Sequence, residues 1–237
     1  MNTEKIQTEI QFNAASYDGI LLVDKEQDWT SFDVVAKLRN VFHLKKVGHA
    51  GTLDPMATGL LLVLLGKGTK LSDTLMGHDK VYSASMRLGL TTDTQDIWGT
   101  VLREDPSAAE AVTEQQLFSV LDRFTGHIQQ IPPMYSAIKI KGKKLYEIAR
   151  KGGEVARDPR PVQIFSLRCL GREENEVRLE IHCSSGTYIR TLCHDIGEAL
   201  GCGACMSALR RTKIGEYDVS DAHKISEIKD GTFILKI

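Results

Sequence analysis

Long hydrophobic runs, an apolar leader and an excess of charge of one sign are all missing from this 237-residue sequence. No window approaches the roughly eighteen consecutive apolar residues of a membrane-spanning helix, and the N-terminal MNTEKIQTEIQ lacks the apolar block of a secretory signal. We therefore expect a cytoplasmic protein that has no membrane partner. The formal net charge of −1 argues against a protein that coats nucleic acid indiscriminately, although local basic patches can still bind it.

The five cysteines are an odd number in a chain without an export signal, which predicts reduced thiols. Cys202 and Cys205 form a C-x-x-C spacing, and with Cys193 and His194 upstream they could supply four ligands to a structural zinc. A single C-x-x-C without a second pair is a weak signal, and LCHDIGEALG is typical of a helix that already buries Cys193. We expect neither a metal site nor a cofactor.

Apolar residues make up 42% of the chain and charged residues 26%, which is ordinary for a globular protein. The apolar runs GILLVDK and LLLVLLG predict strands at 19–25 and 60–66, the second buried on both faces. Alternating polar and apolar residues predict two further strands, EVRLEIHC and KVYSASMRLG, and the second of these places Tyr82 on a definite face.

Apolar residues recur at helical spacing in TSFDVVAKLRNVF, TEQQLFSVLDRF and YIRTLCHDIGEALG. We expect Ser31 to cap the first helix and a capping box of Thr113 and Gln116 to begin the second, while the third should run up to Gly201. Strands and helices interleave, several of them through short connections. This pattern predicts an α+β fold with a mixed, largely antiparallel sheet flanked by helices.

One segment stands apart in its charge. From Lys139 to Arg160 there are eight basic residues and three acidic ones, a local balance of +5. A solvated helix and turn is the more common meaning of such a run. Interleaving with Tyr135 and Tyr146, after the Pro-rich start IPPMYS, favours a polyanion partner instead. From the residues alone the two interpretations are equally supported.

The stretch GHAGTLDPMATG, residues 48–59, places one carboxylate, Asp54, among three glycines and a proline. Pro55 holds Asp54 extended and the glycines allow close approach of backbone or ligand, so the carboxylate is presented rigidly. An Asp in such a turn more often bonds its own backbone. A phosphate-binding loop is disfavoured, because the G-x-x-x-x-G-K-[ST] spacing occurs neither here nor in GKGTK. Spacing alone indicates no more than a carboxylate in a groove.

Four blocks of the chain resemble, in order, the motifs of the TruB family of bacterial tRNA pseudouridine synthases. They are GHAGTLDPMATGLLLV, KVYSASMRLGLTTDTQDIWG, IPPMYSAIKIKGKKLYEIARKG and SSGTYIRTLCHDIGEALGCGACMSALRRTKIG. The resemblance covers most of the chain from Gly19 to about Tyr217. It implies a pseudouridine synthase fold, and an enzyme that flips the T-loop uridine at position 55 of tRNA out of its stack and isomerises it to pseudouridine. The implied chemistry uses no cofactor and no metal.

The resemblance assigns catalytic roles to three residues. Asp54 matches the nucleophile, which attacks either the ribose C1′ or the uracil ring. Arg190, in GTYIRT, matches the arginine that pairs with this aspartate, and a neighbouring guanidinium favours the charged form of a carboxylate. Tyr82 matches the tyrosine that stacks on the flipped base, whereas its position in the strand alone favours a core residue on the sheet face.

Other positions match substrate-binding residues of the family. His49 matches the histidine that enters the T-loop and takes the space of the extruded nucleotide, and the adjacent glycines make such projection easy. Tyr188 matches a tyrosine near the target base and Leu209 an apolar wall of the uracil pocket, although both could equally be packing residues. Lys25 matches a lysine that supports the loop around Asp54. The cations expected to meet backbone phosphates are Arg210, Arg211 and Lys213.

The predicted organisation is an N-terminal extension at 1–18 and one catalytic domain at 19–237. By resemblance, the basic segment belongs to a mobile insertion at about 125–160 that closes over the T-arm of the tRNA. The family motif D-K-P-x-G-x-T-S reads DKEQDWTS here, with Glu26 and Asp28 at the Pro and Gly positions, so we expect a differently shaped loop. We expect no C-terminal RNA-binding domain of the PUA type, because only a short tail follows GEYDV.

Two rival functions stay open at this stage. A non-catalytic RNA chaperone would fold tRNA by gripping the T-arm and would not need Asp54. An RNA-guided synthase related to the family would modify ribosomal RNA within a protein complex, although such proteins usually carry an added C-terminal domain. We expect instead a monomeric enzyme that acts on the T-arm of tRNA and needs no obligate protein partner.

Overall fold

A computed structural model describes residues 17–140, 142–229, 232 and 235–236. The predicted N-terminal extension therefore lies outside the described residues up to position 16. Its last two residues contact the folded chain. The ring of Tyr17 packs against Phe42 with centroids 4.9 Å apart, and Asp18 forms an ion pair with Lys67 at 2.9 Å.

Strands and helices alternate along the described chain. The strands are β1 (Gly19–Lys25), β2 (Val47–Ala50), β3 (Thr58–Leu65), β4 (Lys80–Leu88), β5 (Leu90–Thr92), β6 (Val101–Glu104), β7 (Gly126–Gln130), β8 (Lys139–Ile140), β9 (Lys143–Lys144), β10 (Arg160–Glu173), β11 (Glu176–Cys183), β12 (Ala204–Ile214), β13 (Tyr217–Asp218), β14 (His223–Lys224) and β15 (Leu235–Lys236). The α-helices are α1 (Ser31–Val41), α2 (Ser72–Gly77), α3 (Pro106–Glu110), α4 (Glu114–Arg123), α5 (Leu145–Ala149) and α6 (Ile189–Leu200). Within the described residues no helix is both long and apolar enough to cross a membrane.

One large sheet organises the molecule. Its strands run in the order β14-β1-β3-β12-β4-β11-β10-β7, and β15, β2 and β13 pair with β1, β3 and β12 respectively. The pairs β1–β14 and β12–β3 are parallel, and the other pairs of this sheet are antiparallel. The hairpins β5–β6 and β8–β9 stand outside it. The predicted α+β fold with a mixed, largely antiparallel sheet is confirmed.

Strand β3 is buried on both of its faces, as its unbroken apolar sequence predicts. Leu61, Val63 and Leu65 contribute to a cluster that includes the apolar face of α1. Leu60, Leu62 and Leu64 contribute to a second cluster on the opposite face. The strand is thus held between two layers, and the turn that precedes it starts from a rigid base.

The remaining strand and helix predictions are also confirmed, since β4 and β11 alternate between buried and more exposed residues. On β4 the buried face carries Tyr82 and continues into the core beneath α4 and α6. Thr113 and Gln116 form both hydrogen bonds of the predicted capping box at the start of α4. Helix α6 ends at Gly201, which adopts a left-handed φ of 81° that glycine tolerates without strain.

The prediction that Ser31 caps the first helix is wrong by one residue. Thr30 is the cap: its hydroxyl accepts a hydrogen bond from the Asp33 amide at 3.0 Å, and the Asp33 carboxylate accepts one from the Thr30 amide at 3.0 Å. The spacing T-x-x-D makes this reciprocal pair possible, whereas Ser31 has no acidic partner three positions on. Ser31 is 2% exposed and points into the fold.

Replacing Thr30 with alanine should lower the free energy of unfolding by about 1 kcal/mol, because the Asp33 amide loses the hydroxyl that accepts its hydrogen bond. Urea denaturation followed by circular dichroism measures this change. The matched substitution Thr113→Ala, in the second capping box, should cost a similar amount. An unchanged midpoint for Thr30→Ala alone would contradict the assignment of the cap.

Candidate active site

Asp54 lies in the turn between β2 and β3 with 39% of its side chain exposed. Its backbone carbonyl accepts a hydrogen bond from the Ala57 amide at 3.0 Å, which closes the turn. Its carboxylate Oδ2 accepts a hydrogen bond from Arg190 Nε at 2.9 Å. The structure thus brings together two residues that the sequence separates by 136 positions.

Arg190, in the first turn of α6, is only 5% exposed. Its Nη1 donates to the Thr94 carbonyl and its Nη2 to the Tyr135 carbonyl, both at 2.9 Å. The guanidinium is therefore bonded on every edge, to the Asp54 turn, to the loop after β5 and to the segment after β7. Because five donors in a planar fork need fixed acceptors, this network sets one orientation for the side chain.

A second carboxylate, Asp96, approaches the same guanidinium, with Oδ2 at 3.7 Å from Arg190 Nε. Its Oδ1 accepts hydrogen bonds from the Thr94 hydroxyl at 2.8 Å and from the Trp98 amide at 3.1 Å. Burial raises the pKa of Asp96, while the Thr94 hydroxyl and then Arg190 oppose that shift. Sequence reasoning missed this residue, although TTDTQDIWG lies within one of the resembling blocks, because nothing in its spacing singles out Asp96.

The backbone on either side of Asp54 is held by side chains from other elements. The Ser31 hydroxyl accepts a hydrogen bond from the Leu53 amide at 2.9 Å and donates to the Leu53 carbonyl at 3.2 Å. On the other side, Lys25 Nζ donates to the Pro55 carbonyl at 3.4 Å. Lys25 is fully buried. The expectation that Lys25 supports this loop agrees with that contact, and Ser31 adds a second support that the sequence did not indicate.

The loop DKEQDWTS also contacts the Asp54 turn. The Asp28 amide donates to the Pro55 carbonyl at 3.0 Å, and Asp28 adopts a φ of 69°. This left-handed conformation suits the glycine of the family motif, and aspartate tolerates it better than most residues. Asp28 therefore occupies a glycine-type conformation, and its backbone amide still reaches the turn.

Arg211 lies beneath the same turn and is 1% exposed. Its Nε donates to the Leu60 carbonyl at 2.8 Å, and its terminal nitrogens donate to the carbonyls of Gly51 at 3.1 Å and Thr52 at 3.4 Å. The prediction that Arg211 meets backbone phosphates is therefore wrong. The alternation of β12 turns Arg211 toward the interior, where hydrogen bonds to carbonyls offset part of the cost of a buried cation.

The neighbouring cations of that prediction have intramolecular partners. Arg210 forms two hydrogen bonds with the Asp24 carboxylate, at 2.9 and 2.8 Å. Lys213 forms an ion pair with Asp218 at 3.2 Å. Their side chains are 41% and 52% exposed, so both remain accessible to solvent.

Tyr82 and Leu209 form the floor next to the Asp54 turn. Both are nearly buried, at 8% and 9% exposed, and belong to one apolar cluster with Leu53. Tyr82 lies opposite Arg211 in the β4–β12 register. Burial raises the pKa of Tyr82, and the Arg211 charge opposes that shift. The phenol is accordingly protonated at neutral pH.

Tyr188 occupies the cap position of α6. Its amide donates to Gln130 Oε1 at 2.8 Å, and Gln130 Nε2 donates to its carbonyl at 3.0 Å. Its side chain is half-buried, and burial raises the pKa of its hydroxyl. Tyr188 precedes Arg190 by two residues, and its bonds to Gln130 place it on the side of the site that faces β7.

His49 is on strand β2 and half-buried, not on a projecting loop. Burial lowers the pKa of His49 and the Arg211 charge lowers it further, so the imidazole is neutral at pH 7. Its Nδ1 has no hydrogen-bond partner within the described part of the chain. His49 lies opposite Val63 in the β2–β3 ladder. This strand pairing is why His49 is part of a strand and not of a projecting loop.

The basic segment connects β7 to β10, two strands that pair with each other at the edge of the sheet. Its helix α5 is anchored by Leu145, which is fully buried. Lys144 Nζ and the Arg150 guanidinium each lie 5.4 Å from the centre of the Tyr146 ring. The Tyr135 carbonyl, four residues before this segment begins, accepts a hydrogen bond from Arg190 Nη2. Lys141 lies outside the described residues.

Side chains that could hold a metal are not grouped together: among residues 17–140 and 142–229, no three of His, Cys, Asp or Glu are placed as a ligand set. Cys193 and Cys205 are fully buried. Burial raises the pKa of Cys205 to about 12, which keeps its thiol protonated and unlike a metal-binding thiolate.

Two family models match the chain. Residues 39–189 match the TruB family pseudouridylate synthase (N terminal domain), and residues 190–236 match the tRNA pseudouridylate synthase B C-terminal domain. The boundary falls inside α6, and the second match includes β12 in the middle of the sheet. In this structure the two matched regions therefore share one sheet.

Curated relatives are similar over most of the chain. The tRNA pseudouridine synthase B of Syntrophotalea carbinolica is 49% identical over 90% of this chain and 69% of its own length. That of Endomicrobium trichonymphae is 47% identical over 92% of this chain and 94% of its own length. The crystal structure of a Cbf5–Nop10–Gar1 complex contains a chain that is 32% identical with a TM-score of 0.67. The match covers 88% of this chain but only about half, 53%, of that one.

The buried Lys25 should make stability depend on pH. Burial lowers its pKa from 10.5 to about 8, so between these values the unfolded chain binds more protons than the folded one. Stability should therefore rise with pH across this window. Lys25→Met should flatten the rise, which urea titrations at about pH 7.5 and about pH 10 would measure.

Lys80 provides a comparison, because burial lowers its pKa to about 8 as well, and Lys80→Met should remove its own share of the slope. Lys37, exposed on α1, serves as the control for replacing a lysine by methionine. A Lys25→Met slope equal to that of the unsubstituted protein would contradict the prediction.

Proposed function

The chain belongs to the TruB family of pseudouridylate synthases, and on that basis we propose that it converts the T-loop uridine of tRNA, position 55, into pseudouridine. The observation that carries this proposal is the Asp54 carboxylate, partly exposed and bonded to the buried Arg190 guanidinium at 2.9 Å. Relatives named tRNA pseudouridine synthase B, 49% and 47% identical, support tRNA as the substrate.

In the proposed reaction Asp54 is the nucleophile. Within the described residues, Arg190 donates to only one of the two carboxylate oxygens of Asp54. The other oxygen is available to the flipped nucleotide. The N1–C1′ glycosidic bond breaks, the uracil turns while still held, and C5 bonds to C1′. The proton on C5 leaves and N1 gains one, so the product is an isomer of the substrate. Attack at C1′ and addition to the uracil ring both satisfy this balance.

The other side chains of the site bind and orient the base. Tyr82 and Leu209 offer an apolar floor on which the uracil can stack next to Asp54. Tyr188 supplies a protonated hydroxyl at the edge of the site. His49 is half-buried on β2, so we propose that the T-loop reaches it there; its neutral imidazole brings no charge into the space left by the flipped nucleotide.

The basic segment is proposed to bind the T-arm backbone. Lys144 and Arg150 flank Tyr146, which places two cations beside one aromatic ring, and clustered cations favour phosphate contacts. The Tyr135 carbonyl, four residues before this segment, accepts a hydrogen bond from Arg190, so the segment begins close to the catalytic pair. We also infer that the protein acts in the cytoplasm as a monomer, without an obligate protein partner. Light scattering of the purified chain tests the monomeric state.

Guided modification of ribosomal RNA is the less favoured alternative. The matched chain from the Cbf5–Nop10–Gar1 complex is less similar, at 32% identity, than the tRNA pseudouridine synthase B relatives. A T-arm minihelix offered as the only RNA separates the two cases, because a guided enzyme should ignore it. Turnover of the minihelix by the purified chain supports stand-alone action, and turnover only with added guide RNA and proteins refutes it.

Asp54→Asn should reduce pseudouridine formation by at least about a thousandfold, since the amide cannot act as the nucleophile. Tritium release from C5-labelled uridine in tRNA measures the reaction. Asp73→Asn, at an exposed aspartate in the first turn of α2, is the matched control and should retain full activity. Equal tritium release by Asp54→Asn and the unsubstituted protein would rule out Asp54 as the nucleophile. No tritium release by the unsubstituted protein would favour a chaperone.

Ser31→Ala should lower kcat about tenfold or more while leaving the Kd for tRNA nearly unchanged, because Asp54 loses a fixed orientation but no RNA contact. Ser31→Thr retains the hydroxyl and should recover part of the loss. Thr30→Ala, one residue away, removes the helix cap without touching Leu53 and should leave kcat unaffected. A Ser31→Ala enzyme with normal kcat would refute the positioning role.

A further inference from the structure

Exposed apolar side chains are concentrated in one part of the chain. Ten large hydrophobic side chains of the described residues are exposed, and four of them fall between positions 97 and 102. These are Ile97, Trp98, Val101 and Leu102, which are 40%, 51%, 53% and 69% exposed. Single surface hydrophobics are normal, whereas several exposed apolar side chains within one short stretch of chain favour a binding surface. We call these four residues the hairpin patch, since they follow β5 and extend into β6.

The loop that carries the hairpin patch is held in one conformation. The Ile97 amide donates to the Met206 carbonyl at 2.9 Å, which ties the loop to the central sheet, and the Gly99 amide donates to the Asp96 carbonyl at 3.1 Å. A Cβ on Gly99 would lie 2.3 Å from the Thr94 hydroxyl oxygen, so only glycine fits this close turn. The patch is therefore ordered before any ligand arrives, which lowers the entropic cost of binding.

The backbone of the hairpin patch at Trp98 approaches the catalytic pair. The Trp98 amide donates to one oxygen of Asp96 at 3.1 Å, and the other oxygen lies 3.7 Å from Arg190 Nε. Arg190 Nε in turn donates to Asp54. Only the side chains of Asp96 and Arg190 separate the Trp98 amide from the Asp54 carboxylate.

We propose that the hairpin patch, centred on Trp98, is a stacking surface for an unpaired base of the substrate RNA beside the target uridine. The inference rests on the proposed function. Extrusion of the target base leaves its neighbours in the loop without stacking partners, and proteins bind such bases against exposed aromatic rings. Continuity with Asp96 and Arg190 favours RNA as the occupant over a second copy of the chain or a separate protein.

Fluorescence can test the contact directly, because the chain has two tryptophans, Trp29 and Trp98. In a Trp29→Phe background, titration with a T-arm hairpin should quench the Trp98 emission as the site fills. A hairpin with abasic sites at the loop nucleotides flanking the target should bind without this quenching. Emission that stays constant at saturating intact hairpin would overturn the inference.

Affinity provides a second readout. Trp98→Ala should weaken the Kd for the T-arm hairpin about tenfold, the size expected for losing one base–aromatic stack, and the loss should appear in KM and not in kcat. Phe118→Ala is the matched control, since Phe118 is 49% exposed on α4, a helix without site residues. For the abasic hairpin, Trp98→Ala should cause no further loss. Equal Kd values for the intact hairpin with and without Trp98→Ala would overturn the inference.

The outcomes separate this inference from the proposed function. If the unsubstituted protein forms no pseudouridine, the proposed function fails, while the fluorescence titration still reports whether Trp98 meets a base. If pseudouridine forms and Trp98→Ala binds the hairpin normally, only the inference fails. Sedimentation velocity completes the set, because a dimer that Trp98→Ala converts to a monomer would assign the patch to a second copy of the chain and overturn the RNA contact.

Discussion

The hydrogen bond from Arg190 to Asp54 is the contact on which the rest of the site depends. A guanidinium that is 5% exposed needs acceptors on all its edges. Here they come from three separate parts of the chain: the Asp54 turn, the Thr94 carbonyl after β5 and the Tyr135 carbonyl after β7. The requirement to satisfy one buried cation thereby brings the proposed nucleophile, the hairpin loop and the connection that carries the basic segment together around a single point.

The Asp54 turn is held by its backbone, and its carboxylate stays partly free. Ser31 bonds both polar groups of Leu53, Lys25 reaches the Pro55 carbonyl, and Arg211 holds carbonyls at both ends of the stretch from below. Hydrogen bonds to carbonyls satisfy buried cations without using carboxylates. Asp54 can therefore be fixed within a positively charged surround and still keep one oxygen for substrate, which suits a site that must hold a nucleophile in one orientation.

Much of the fold follows from patterns within short stretches of sequence. The apolar run before Gly66 predicts a strand buried on both faces, strict alternation predicts β4 and β11, and the T-x-x-Q spacing at Thr113 predicts a capping box. Each of these features depends on neighbours within a few residues, so the sequence alone was sufficient. Resemblance to family motifs extended the prediction to the pairing of Asp54 with Arg190, which no local pattern contains.

What only the tertiary structure decided were contacts between distant segments. Thr30 and Ser31 are adjacent hydroxyls, and the sequence could not show that the first caps a helix while the second holds Leu53 across the core. Arg211 is part of a basic run, but the alternation of β12 and its position beside β3 bury it. Asp96 belongs to the site only because the fold brings its carboxylate close to the Arg190 guanidinium. Local patterns determine which elements form, because their energies come from near neighbours, whereas burial and long-range hydrogen bonds determine what each polar side chain does.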